Sequence, residues 1–147
     1  MLIISKILMI IHIIGLIFAA GSATIKLILL FKCRSDPKFY PIYFQVAPPV
    51  TRVLILGMIL LTVSGIAWMI IGYTFDPLLI FKMALVGIMW ILGPVINNVA
   101  EPKFRNMVSQ PEQFMSAKFK SAKKQYYTLE TIATTLMYTI AIIGLYL

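Results

Sequence analysis

The sequence predicts an all-α integral membrane protein: a four-helix transmembrane bundle forming a single membrane domain over residues 1–147. Three observations lead there. The chain is 61% hydrophobic and only 12% charged, with a mean hydropathy of +0.94, whereas a soluble domain carries roughly twice that charged share. Its apolar residues gather in four runs, at about 3–31, 50–73, 78–100 and 126–147, each reaching the ~20 residues that cross a hydrocarbon core of about 30 Å. Lipid offers the backbone no hydrogen-bond partners, so runs of this length cross as helices.

The first run carries the single histidine. At 100° per residue, His12, Gly15, Ala19, Ser22, Ala23 and Lys26 share one face, and Ile, Leu and Phe fill the other. Ala19–Ala23 has the form of a signal-peptide cleavage site, but the apolar run continues to Phe31, so the segment is expected to stay as a span. The connection 32–49 holds Phe39-Tyr40-Pro41 and Pro48-Pro49. Its aromatics are expected at headgroup level, and its prolines argue against a long helix there.

The second run offers Gly57, Ser64 and Trp68. A short outer connection, Thr74-Phe75-Asp76-Pro77, leads to the third run, which contains Lys82. In the long connection from Glu101 to Gln125, Ser109-Gln110-Pro111-Glu112 has the form of a capping box. Met115, Phe119, Ala122 and Tyr126 then repeat on one face. An amphipathic stem over about 110–125 is predicted, on or rising from the inner surface and running into the fourth run. There Glu130, Thr134, Met137, Ala141 and Gly144 share a face. Stripes of small and polar residues let helix backbones approach one another in lipid.

Thirteen Lys and Arg stand against five Asp and Glu. They concentrate in two connections, with Lys32, Arg34 and Lys38 in one and Lys103, Arg105, Lys118, Lys120, Lys123 and Lys124 in the other. The positive-inside rule places these basic loops in the cytoplasm and both termini outside. The same excess suits anionic headgroups, and no nucleic-acid motif accompanies it, so no nucleic-acid partner is expected. One cysteine, Cys33, excludes an intrachain disulfide and a Cys-based zinc or iron–sulfur site. The nine methionines are scattered and read as gap fillers. No Ser-His-Asp triad, phosphate loop or paired carboxylate appears.

Ionisable side chains inside a span are costly and normally face protein or a water-filled cavity. Here they are His12, Lys26, Lys82 and Glu130. With termini outside, His12 lies roughly 13 Å and Lys82 roughly 7 Å below the outer boundary, at 1.5 Å per residue. A lysine covers that difference by snorkelling, so the two can share one site in the outer half of the bundle. The plainer alternatives are Lys82 reaching to outer headgroups and His12 hydrogen-bonding across helices. Near the inner end, Glu130 is expected to form a structural ion pair with Arg52 or Lys26, because a buried charge needs a partner.

Lys6 and the following His12-Ile13-Ile14-Gly15, the stretch Leu60-Leu61-Thr62-Val63-Ser64-Gly65 ending at Trp68, and Lys82 together carry a resemblance. Over about residues 6–95 the chain resembles small four-span membrane proteins of the HemJ and CopD-like group, which includes HemJ-type protoporphyrinogen oxidases, CopD-like copper-resistance membrane domains and related families. The resemblance implies haem b as cofactor, His12 as ligand to its iron, Lys82 as companion to a propionate, electron transfer from porphyrinogen towards the membrane quinone or respiratory chain, and a prokaryotic cell membrane. Two departures stand out. The tryptophan expected shortly after the histidine is replaced within Leu16-Ile17-Phe18, and the histidine of the third span is missing, so bis-histidine ligation is excluded. The expected function is therefore a haem-associated, redox-linked membrane protein. The alternative is a non-enzymatic accessory or assembly subunit of a larger membrane complex, in which His12 makes only a hydrogen bond; as partners, further copies of the chain or the subunits of a membrane complex are expected.

Overall fold

The computed structural model describes residues 2–72, 76–110, 112 and 114–146. All regular structure among the described residues is helical. Helix α1 covers Leu2–Ser35, a 3-10 turn covers Pro37–Phe39, and α2 covers Tyr40–Ile71. Helix α3 (Pro77–Val95) passes through a π-helical turn (Ile96–Ala100) into α4 (Glu101–Val108), and α5 covers Ala117–Leu145. Three stretches among the described residues are long and apolar enough to cross a membrane: Ile3–Ser35, Pro37–Ile71 and Pro77–Val108. The fourth apolar run lies in α5, which packs against α1 and α3.

The principal packing is α1 on α2, and the small-residue stripe explains it. A Cβ built on Gly57 would stand 2.5 Å from the Ala19 amide nitrogen and 2.7 Å from the Gly15 carbonyl oxygen. The two backbones therefore meet with no side chain between them, the close approach that drives helix association in lipid. The opposite face of α1, with Ile10, Ile13, Ile14 and Ile17, is exposed. At 34 residues α1 is about 51 Å long, well beyond a core of about 30 Å, so its basic end projects past the apolar zone.

Two cores follow. Ala19, Met58, Leu85, Met89, Met137 and Ile140 join α1, α2, α3 and α5 at mid-bundle. A second, aromatic core closes the basic end. Phe104 is fully buried there, its ring 5.4 Å from those of Tyr40 and Tyr126 and 5.7 Å from Phe119.

The connections depart from the sequence expectation. Residues 32–49 are helix except around Asp36, whose carboxylate accepts from the Lys38 amide at 3.0 Å. Pro48 and Pro49 lie inside α2. A proline removes one N–H and frees the carbonyl four residues back. The carbonyl freed by Pro48, that of Phe44, accepts from the Arg105 guanidinium at 3.4 Å, so the helix continues. The third run also runs on past its expected end. The Glu101 amide reaches back five residues to the Ile96 carbonyl, and this π turn lies between Pro94 and Pro102.

The expected capping box is not where the last helix begins. Ser109 closes α4, its hydroxyl donating to the Asn106 carbonyl at 2.7 Å, and Pro111 lies outside the described residues. Ser116 caps α5 instead, accepting from the Phe119 amide at 3.1 Å. Met115 precedes the helix and is exposed, while Phe119, Ala122 and Tyr126 are buried. Stem and fourth run are thus one helix. Ser116→Ala is expected to lower stability by about 1 kcal/mol, seen as a lower thermal midpoint in detergent, whereas Ser109→Ala leaves that midpoint nearly unchanged. Of the short outer connection, Thr74 and Phe75 lie outside the described residues and Pro77 opens α3.

Candidate functional site

His12 stands on the α1 face that meets α2. Its Nδ1 is 2.8 Å from the Ser64 hydroxyl oxygen. That hydroxyl also lies 2.7 Å from the Leu60 carbonyl and 3.1 Å from the Leu61 carbonyl, and when it donates to either it accepts from the ring. In that arrangement the imidazole carries its proton on Nδ1, and Nε2 keeps its lone pair. The Trp68 ring packs 5.3 Å away, centroid to centroid. One turn of α2 thus supplies both the group that fixes the tautomer and the group that covers the ring.

Lys82 lies in the second turn of α3. It is half-buried and takes part in no ion pair among the described residues. Its ammonium fits against the bare backbone of Gly144 on α5, where an added Cβ would stand 2.9 Å from Nζ. His12 thus stands at the α1–α2 seam and Lys82 at the α3–α5 seam, towards the same end of the helices. Among the described residues no three His, Cys, Asp or Glu side chains cluster, so a free metal ion finds no closed set of protein ligands. No family model, curated protein or solved structure matches this chain. The functional reading therefore rests on residues and distances.

A second polar centre lies at the basic end of the bundle. Lys26 Nζ is 2.7 Å from Glu130 Oε1 and 3.7 Å from Glu101 Oε2. The Tyr126 hydroxyl is 3.1 Å from Glu130 Oε1 and 3.4 Å from Glu101 Oε2, and Tyr43 supports it from 2.6 Å. Tyr43 donates to Tyr126, which then donates to a carboxylate, so the two phenols form one donor chain. Arg105 completes the group at 3.3 Å from Glu101 Oε1. Two cations meet two carboxylates, and the network is neutral as a whole.

Of the residues expected at the inner ion pair, Lys26 and Glu130 meet. Arg52 is exposed and belongs to none of the ion pairs among the described residues. Glu101 is the member that sequence reasoning misses, because it opens the long basic connection between the third and fourth runs. Two signals pointed to it: the flanking Pro94 and Pro102, and the helical spacing of Glu101 and Arg105.

Proposed function

We propose that this chain is a four-span integral membrane protein, with α5 as the fourth span, both termini outside and the basic helix ends in the cytoplasm. We further propose that it is a haem-associated, redox-linked protein of the HemJ and CopD-like kind. The observation that carries this reading is the hydrogen bond from His12 Nδ1 to Ser64. With the ring donating from Nδ1, that bond orients the imidazole and leaves Nε2 as the lone-pair nitrogen, which is how a ligand histidine is held by its outer hydrogen bond.

The residues present fit haem b at that end. His12 would hold the iron through Nε2, and the ammonium of Lys82, without a carboxylate among the described residues, would pair with a propionate. When bound, the haem supplies one-electron chemistry. The chain's own part is to fix the imidazole tautomer through Ser64, cover the ring with Trp68 and hold the Lys82 cation against Gly144.

The test is the visible spectrum of the protein purified in mild detergent from haem-replete cells. A Soret band is expected in the wild type, and its loss in His12→Ala at an unchanged elution volume. A colourless, well-folded wild type sinks the haem reading. One observation then favours the accessory or assembly subunit. Gly21 and Gly87 lie on outward faces of α1 and α3, with nothing within 4 Å of an added Cβ. Small residues so placed suit a helix of another subunit or of a second copy. That reading is tested by stable co-purification with membrane subunits.

A further inference from the structure

Helices α2 and α3 are consecutive in the chain yet touch little. Trp90 of α3 donates to the Thr62 hydroxyl of α2 at 3.0 Å across the seam. Beyond that bond towards the basic end lies an open cleft of about 450 Å³, in the size range of small-molecule sites, roughly 300–1,000 Å³. Its lining is divided by depth. Thr51, Asn97, Asn98, Arg105 and Glu101, whose carboxylate is paired with Lys26 and Arg105, lie towards the basic end, and Met58, Met89 and Trp90 lie deeper. The division is forced by topology: α2 and α3 run antiparallel, so the later residues of α3 lie beside the earlier residues of α2.

Helix packing does not account for three features of this cleft. The Thr51 hydroxyl is buried and has no hydrogen-bond partner among the described residues. The π turn puts Asn97 and Asn98 on the wall, and such turns recur at functional sites. Arg105 has a half-exposed side chain and five N–H donors, of which one nitrogen serves both Glu101 and the Phe44 carbonyl. Glu101 is also shared with Lys26, so Arg105 can turn donors to a new acceptor without leaving that carboxylate unpaired.

From these observations we propose that the cleft binds a phospholipid. Its phosphate is taken by Arg105, with Asn97 and Asn98 as further donors. The Thr51 hydroxyl meets an ester carbonyl of the glycerol region. One acyl chain lies along Met58, Met89 and Trp90. An arginine fork suits a phosphate because two parallel N–H donors match two of its oxygens. A soluble phosphate compound would have no use for the apolar depth of the cleft.

Native mass spectrometry from mild detergent tests this directly. The wild type is expected to retain one phospholipid per chain. Gly93 lines the cleft, and an added Cβ there meets nothing within 4 Å. Gly93→Phe therefore fills the space without displacing backbone, and the bound lipid is expected to be lost at an unchanged thermal midpoint. Ile55→Trp, from the opposite wall, serves as a second filling variant should the first fail to fold. Arg105→Gln is expected to release the lipid at lower detergent concentration than the wild type requires. The proposal is overturned if the wild type retains no phospholipid, if the filled variants retain as much as the wild type, or if what the filling displaces is an amphiphile without a phosphate.

Discussion

Replacing Lys26 by methionine is expected to destabilise the protein by about 3–5 kcal/mol, the usual cost of removing one partner from a buried ion pair. The reason is local. Lys26 is 3% exposed, and its ammonium lies against both Glu130 and Glu101. Without it, two carboxylates face each other across the one proton that Tyr126 can donate. Thermal unfolding in mild detergent, followed by far-ultraviolet circular dichroism, should show a large fall in midpoint. The double variant Lys26→Met, Glu130→Met should recover much of it, because replacing a whole buried pair by apolar side chains is often neutral. A single variant that melts with the wild type would show that the network does not hold the basic end together.

Gly57→Ala is the second large effect, expected at about 1–3 kcal/mol from overpacking. The atoms that its Cβ meets are the Ala19 nitrogen and the Gly15 oxygen, which are backbone and cannot rotate away. The helices must separate, and the separation is felt from Gly15 to the His12–Ser64 hydrogen bond. Gly65→Ala is the matched control on the same helix. Nothing lies within 4 Å of its added Cβ, so it should raise stability by up to about 1 kcal/mol through helix propensity. Equal melting of the two variants would remove the close crossing from the account.

The parts of the fold set by periodicity were legible in the sequence. The stripe from His12 to Lys26 is the face that α1 buries against its neighbours, and Glu130, Thr134 and Met137 form the matching face of α5. Depth alone left Glu130 to pair with Arg52 or Lys26, and the structure pairs it with Lys26. Features that depend on a partner remote in sequence were not legible. Pro48 inside α2 is tolerated because Arg105 of α4 takes the freed carbonyl, and no local signal announces that. Glu101 turns inward because the π turn adds a residue before it, which helical counting at 3.6 residues per turn cannot anticipate. The choice of Ser116 over Ser109 as cap was decided likewise by the burial of Phe119 against Phe104, not by the better local motif.

The neutral network at the basic end also constrains the order in which this protein can be assembled. Lys26 belongs to α1, which leaves the ribosome before the helices that carry Glu101 and Glu130. During synthesis α1 must hold an unmatched ammonium until α4 and α5 have been made. It can do so because Lys26 sits near the end of the apolar run, where its side chain reaches water. Closure of the basic end thus waits on α5, and it is the arrival of that helix that lets α1 settle.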